Sequence, residues 1–233
     1  MNLQAREVYD SSGNEFKEAI EIYEGSFPPE ERESTSSFVK ALKKKVCGEY
    51  NRFHFTIVEK DSKVAAMSVC EYVPEACLGF FSYMAVDKQY RSQGIGHFLY
   101  EVMLKNVEMD AFCQNRSELM GCVYEVDRVE DMKSSEDEET RKRRLRFYYS
   151  LGSYVVEGVD YYQPSLGMGK PPVRMHLMFH PIHCSELNND LAKYIVESTY
   201  YKWYGKKESD SLAISVLRSA EQNEIRFVNG EML

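Results

Sequence analysis

The chain has 233 residues, 43% of them hydrophobic and 28% charged, with a formal net charge of -8. A chain of that length buries roughly 70% of its unfolded surface, so a core needs neither a metal nor a disulfide to hold it, and the composition is that of an ordinary globular protein. The acidic balance disfavours nucleic acid as a partner, because phosphates are repelled overall, and suits a cationic acceptor such as an amine.

Six cysteines, Cys47, Cys70, Cys77, Cys113, Cys122 and Cys184, are scattered without a CxxC pair, which predicts a reduced, intracellular chain. The opening MNLQAREVYD has neither the basic nor the apolar segment of a signal peptide. The longest near-apolar run, Ala76 to Val86, is about half the roughly 20 residues that span a bilayer. Together these readings predict a cytoplasmic protein with no membrane partner.

In chain order, a short first strand is expected around Arg6 to Tyr9. Residues 15 to 26, EFKEAIEIYEGS, carry Phe16, Ala19, Ile20 and Tyr23 at helical spacing. Phe27-Pro28-Pro29 ends that helix, since proline lacks the donor and clashes in a helix interior. A second helix follows, with Phe38, Val39, Leu42 and Val46 on one face. FHFTIVEK and KVAAMSVCEYV read as two strands joined at Asp61-Ser62, a hairpin. CLGFFSYMAV, from Cys77 to Val86, has the continuous apolar run of a fully buried strand, with a buried helix as the alternative that periodicity alone leaves open.

The next helix shows Ile95, Phe98, Leu99, Val102 and Met103 on one face, and Leu119 to Val126 is the following strand. Between Asp127 and Arg146 acids precede a basic block. Ser135 with Glu138 forms a capping box, and Asp137–Arg141, Glu138–Lys142 and Glu139–Arg143 are i,i+4 pairs of the favourable order. The pattern predicts a helix over about 136 to 150, closed by Gly152. SYVVEGVDYY and VRMHLMFH are two closing strands separated by the loop from Gln163 to Pro172. Two more helices, roughly 187 to 203 and 211 to 222, follow Pro181. The expected class is α+β, a mixed, largely antiparallel central sheet flanked by helices. Residues 1 to 185 form the main domain, and 186 to 233 form a C-terminal helical extension packed on it.

Arg91-Ser92-Gln93-Gly94-Ile95-Gly96 lies between a buried strand and an amphipathic helix. Gly94 and Gly96 have no Cβ, so the backbone can approach a ligand closely and take up positive φ. Successive N–H groups at a helix start cradle an anion, which the helix dipole favours. A pyrophosphate is the obvious guest. The dinucleotide fingerprint needs a third glycine or alanine where Leu99 stands, and no GK[ST] follows for a P-loop.

The hexapeptide fits R/Q-x-x-G-x-G/A. With the strand before it, the helix after it and RFYYSLG (Arg146 to Gly152) one strand later, it resembles the GNAT acyltransferase superfamily over about residues 6 to 180. The resemblance implies a GNAT-like fold for residues 1 to 185 and acetyl-coenzyme A, or another acyl-coenzyme A, as co-substrate without a metal. It implies that Arg91, Ser92, Gln93, Gly94, Ile95 and Gly96 hold the diphosphate. The backbone from Tyr83 to Val86 would pair with the pantetheine arm, and an N–H near Met84, Ala85 or Val86 would stabilise the developing oxyanion.

An amine must lose a proton before attacking a thioester, and the departing thiolate must gain one. Tyr148 matches the tyrosine that protonates leaving coenzyme A in many members of the superfamily, although it also reads as a core tyrosine, as Tyr149 does. An asparagine common earlier on that helix is replaced by Arg141. The glutamate that some members carry on the fourth strand falls at Phe80. Glu71 and Glu125 are the nearest base candidates; each also reads as a solvated strand-end charge, and a water chain is a third solution. Phe27, Glu30 and Glu31 stand where the superfamily closes over the acceptor, in a segment that a proline-bounded helix start explains equally. His176, His180 and His183 complete no zinc pattern, because Pro181 interrupts the spacing and no cysteine or acid joins them. Tyr200, Tyr201, Trp203 and Tyr204 read as packing for the tail, with a homodimer contact or a lid over an acyl pocket left open.

The expected activity is transfer of an acetyl or other acyl group from acyl-coenzyme A to the primary amine of a small-molecule or amino-acid-like acceptor. A protein lysine acetyltransferase and a non-catalytic acyl-coenzyme A sensor stand as alternatives.

Overall fold

The computed structural model describes residues 3–48, 52–115, 118–167, 169–184 and 186–230. It divides into two compact units: Met1–Pro74 with Gly79–Leu119 and Leu166–Lys170, and Glu75–Leu78 with Met120–Ser165 and Pro171–Leu233. In the first unit the sheet order is β1 (Leu3–Glu7), β2 (Phe53–Lys60), β3 (Lys63–Val73) and β4 (Leu78–Val86), Leu78 belonging to the second unit. β1–β2 and β2–β3 are antiparallel. The predicted hairpin turn is present, with Asp61 and Ser62 at φ of 51° and 62°. Two left-handed central residues are what a two-residue turn needs to follow the strand twist.

Alternation along β2 sends successive side chains to opposite faces. Phe53, Phe55 and Ile57 enter a core with Phe16 and Tyr23 of α1 (Asn14–Ser26) and Phe38 and Leu42 of α2 (Thr35–Val46). His54 and Thr56 turn the other way, to Asp110 and Asn106 of α3 (Ile95–Asn115). α3 buries Ile95, Leu99, Met103, Val107 and Ala111, every fourth residue, together with Tyr100. Phe98 and Val102, expected on the same face, are only partly covered.

His54 is the centre of a buried charged cluster drawn from four elements. Its Nδ1 meets Glu7 Oε1 and its Nε2 meets Asp110 Oδ2 at 2.8 Å. Lys45 Nζ bonds Glu7 Oε2 at 2.8 Å and the Phe53 carbonyl at 2.6 Å. Burial disfavours the imidazolium, yet the bonds to Asp110 and Glu7 outweigh it and raise the His54 pKa. Burial also works against the Glu7 carboxylate, but His54 and Lys45 bring its pKa down to about 2.

In the second unit the strand order is β5 (Gly121–Asp127), β8 (Val173–Pro181), β6 (Tyr154–Glu157) and β9 (Arg226–Val228), and β7 (Tyr162–Gln163) pairs with β8. All these pairings are antiparallel. The run SYVVEGVDYY is not one strand. Gly158 breaks it at φ +90°, where a Cβ would lie 2.4 Å from the Glu224 carbonyl oxygen. Helix α4 spans Ser135–Ser150, and its cap is Ser134 rather than Ser135. Ser134 has the extended backbone a cap requires and accepts from Asp137 N–H. The Asp137–Arg141 and Glu138–Lys142 pairs form at 3.0 and 2.5 Å, whereas Glu139 pairs with Arg146, not Arg143.

The tail contains α5 (Asn189–Glu197), a π-helical segment Ser198–Trp203, and α6 (Ser211–Gln222). No helix among the described residues is long and apolar enough to cross a membrane. The result is the expected mixed α/β architecture, a mostly antiparallel sheet flanked by helices.

Candidate active site

The loop after β4 leads into a helix as expected, with Gly94 at positive φ, but the second left-handed residue is Ser92, and Gly96 lies inside α3. Tyr83 and Ala85 point into the core and Met84 and Val86 are partly exposed on the alternate face. Asp87 N–H closes the strand on the Ala65 carbonyl at 2.9 Å, and Asp87 Oδ1 accepts from Gln89 N–H at 2.9 Å. The loop is then pinned by its own side chains. Arg91 Nε donates to the Val86 carbonyl at 3.2 Å, Gln93 Nε2 to the Gln89 carbonyl at 3.2 Å, and Lys60 Nζ to Gln93 Oε1. Lys60 also lies 5.7 Å from the centre of the Tyr90 ring, which holds a positive charge beside the loop.

Ser92 and Gly94 take left-handed φ of 60° and 78°. This turns the chain into α3, whose first hydrogen bond there runs from Phe98 N–H to the Gly94 carbonyl at 3.1 Å. The amides of Ile95 and Gly96 precede that bond and point out of the helix end. A Cβ built on Gly94 meets nothing within 4 Å. An anion therefore has open space above a positive helix terminus, and the residues fit a diphosphate. Gly94→Val is expected to weaken coenzyme A binding at least tenfold by calorimetry. The left-handed backbone should cost the fold only about 1–2 kcal/mol in the same variant.

The segment after α1 is stitched to the same unit. The Phe27 ring packs 5.6 Å from Tyr23 and 5.1 Å from Tyr83. Tyr83 OH donates to the Glu31 carbonyl at 3.2 Å and accepts from Glu33 N–H at 3.0 Å; Tyr23 OH donates to the Glu33 carbonyl at 3.1 Å. Lys170, in the loop from Gln163 to Pro172, donates to the Arg32 carbonyl at 2.6 Å. Met168 in that loop lies outside the described residues. Glu30 is partly exposed and Glu31 is buried. Glu33, which sequence reasoning passed over, is a partly covered carboxyl whose pKa burial raises against a bond from Ser37.

The base candidates have different surroundings. Glu71 lies opposite Phe53 in the β2–β3 ladder of the first unit. Glu125, in β5, is ringed by donors. Tyr161 OH bonds Oε1 at 2.5 Å, Gln163 Nε2 bonds Oε2 at 2.7 Å, and Tyr204 OH reaches Oε1 at 2.9 Å and Oε2 at 2.8 Å. Burial raises its pKa, and the three donors pull it back only in part. Nothing in the sequence marked Tyr161, Gln163 or Tyr204 as partners of Glu125.

Tyr148 lies on α4 with its ring 4.4 Å from that of Tyr124. Arg144, one turn earlier, pairs with Asp127 at the end of β5 and so fixes the helix on its strand. Arg141 has a structural task here: it bonds the Arg128 carbonyl at 2.6 Å and Asp137 at 3.0 Å. Burial pushes the Tyr148 phenol up to about 12, offset in part by Arg144, so it keeps its proton at neutral pH.

Residues 16–120 match the acetyltransferase (GNAT) family model. A comparison with curated proteins returns no significant match. A protein described as a GNAT-family acetyltransferase from Bacteroides thetaiotaomicron superposes with a TM-score of 0.59 at 21% identity, over 85% of this chain and 98% of that one. The ribosomal-protein-S18-alanine N-acetyltransferase of Escherichia coli gives 0.52 at 17% identity, over 80% and 98%. A NatC complex bound to Gag peptide and coenzyme A gives 0.52 at 14% identity, over 78% and 99%. With the glycine-bearing loop between β4 and α3, the family match identifies residues 16–120 as an acetyltransferase (GNAT) family domain, and the superpositions show that the chain has the GNAT fold.

Proposed function

We propose that the chain is an N-acyltransferase that moves an acetyl or other acyl group from acyl-coenzyme A directly to the primary amine of a small-molecule or amino-acid-like acceptor. Residues 91 to 96 would hold the diphosphate and the Met84 to Val86 backbone the pantetheine arm. The bound acyl-coenzyme A supplies an activated thioester carbonyl. Glu125 takes the proton of the acceptor ammonium at a carboxylate oxygen, which leaves the nitrogen lone pair able to attack. Tyr148 gives its phenolic proton to the sulfur as the carbon–sulfur bond breaks and regains one from the newly acylated nitrogen, which leaves a neutral amide and a free thiol.

The observation that carries the reading is the Glu125 environment: a carboxylate in a covered site, oriented by three donors and raised above the ordinary glutamate range. A general base gains from an oriented carboxylate whose pKa lies above its ordinary value, and a mere sensor of acyl-coenzyme A has no use for one. Thiol release from acetyl-coenzyme A with a panel of small amines, amino acids and peptides tests it. Turnover with at least one primary amine is expected; saturable cofactor binding with no turnover across the panel would support the sensor instead. Tyr148→Phe is expected to lower kcat by about 10²-fold with unchanged coenzyme A affinity. Unchanged kcat would remove the phenol from the reaction.

A further inference from the structure

The C-terminal segment lies beyond the residues matched by the family model, 16–120, yet it reaches the proposed base. Tyr194 OH donates to the Ala76 carbonyl at 3.0 Å, and Lys202 Nζ donates to the Glu75 carbonyl at 2.7 Å while lying 4.5 Å from the Tyr194 ring centre. Between these anchors the helix changes its winding. From Ser198 to Trp203 it is π-helical, and Tyr204 N–H bonds the Thr199 carbonyl, five residues back, at 3.0 Å.

That winding is not what local chemistry prefers. π turns are rare and tend to mark functional positions. Thr199 Oγ1 bonds back to the Ile195 carbonyl at 2.8 Å, and the fully buried Ser198 Oγ has no hydrogen-bond partner among the described residues. A buried hydroxyl without a partner costs stability. Tyr200 and Tyr204, four residues apart at the start and the end of this turn, reach the same neighbourhood, Tyr200 OH on the Tyr162 carbonyl and Tyr204 OH on both oxygens of Glu125.

We propose that the C-terminal segment is part of the catalytic apparatus, with Tyr204 as a positioning residue that orients the Glu125 carboxylate by bonding both of its oxygens. This inference rests on reading Glu125 as the base. The other groups that act on that carboxylate are Tyr161 and Gln163, and Tyr200 stands behind Tyr161 with ring centres 5.7 Å apart. With these neutral donors holding the ionised form, removing one of them makes the carboxyl harder to ionise.

The test uses full-length protein with ¹³C-labelled glutamate carboxyls, Glu125→Gln to assign the Glu125 resonance, and Tyr204→Phe, which keeps the ring and removes only the hydroxyl. In Tyr204→Phe the Glu125 titration midpoint is expected to rise by about one pH unit. The acidic limb of the kcat profile should move with it, and turnover should recover above the new limb. A structural role alone would lower thermal stability and leave both midpoints in place, which would overturn the inference. Loss of turnover in Glu125→Gln with no shift in Tyr204→Phe overturns this inference alone. Full turnover in Glu125→Gln overturns the base assignment itself.

Discussion

Glu125→Gln should lower kcat by about 10²–10⁴-fold at pH 7 while leaving coenzyme A affinity intact. Glutamine keeps the shape, and the hydroxyls of Tyr161 and Tyr204 can turn to accept from its amide, but it cannot take a proton from an ammonium. In the native chain the carboxyl titrates above its ordinary value, so activity should fall as pH drops through that raised pKa, and the limb should vanish in the variant. The stability effect has the opposite sense. A carboxyl raised in the folded state favours folding when protonated, and that contribution is lost as pH rises through the folded pKa. The variant should therefore be no less stable than the native chain at pH 7, with urea unfolding as the check. A large loss of stability would assign Glu125 to the fold and not to the reaction.

His54→Leu has the largest expected effect on stability, about 3–5 kcal/mol. The substitution leaves Glu7 and Asp110 partly buried with Lys45 as the cation that remains in the cluster. The wild-type cluster also predicts a pH window. His54 is raised from 6.5, so its contribution is complete below the unfolded value and is lost as pH rises through the folded pKa. Glu7 is lowered from 4.5 to about 2, so its contribution is present above the unfolded value and is lost as pH falls towards 2. Both are complete between about pH 4.5 and 6.5. Urea midpoints across pH 3 to 9 should peak there, and His54→Leu should lose the alkaline decline. A variant with an unchanged midpoint at pH 6 would mean that the cluster contributes nothing to the fold.

The contrast between these two sites shows what the sequence made legible. Local rules were sufficient where the information is local. Asp61-Ser62 between two apolar runs became a hairpin, Arg91 to Gly96 became a left-handed turn into a helix, and the acid-then-base run became α4. The details that slipped are single-residue competitions, such as Ser134 over Ser135 for the cap and Arg146 over Arg143 for Glu139. β9 is three residues long, too short to show a period.

The charged cluster and the Glu125 ring were not legible, because their members come together only through the fold. His54 and Glu7 are 47 residues apart and His54 and Asp110 are 56 apart. Tyr204 lies 79 residues from Glu125. Neither helical nor strand periodicity registers such a pair. The π-helical winding that ends beside Tyr204 leaves no mark in composition, so the aromatic run read as packing for the tail, with a homodimer contact or an acyl-pocket lid as the alternatives.

The claim on which the rest depends is that the 91–96 amides hold the diphosphate of a coenzyme A thioester. Titration calorimetry of the folded chain with coenzyme A, and separately with pantetheine, which lacks the diphosphate, tests it directly. Saturable binding of coenzyme A is expected, with pantetheine binding weaker by about 100-fold or more. No heat with coenzyme A, or equal affinity for the two, would contradict it.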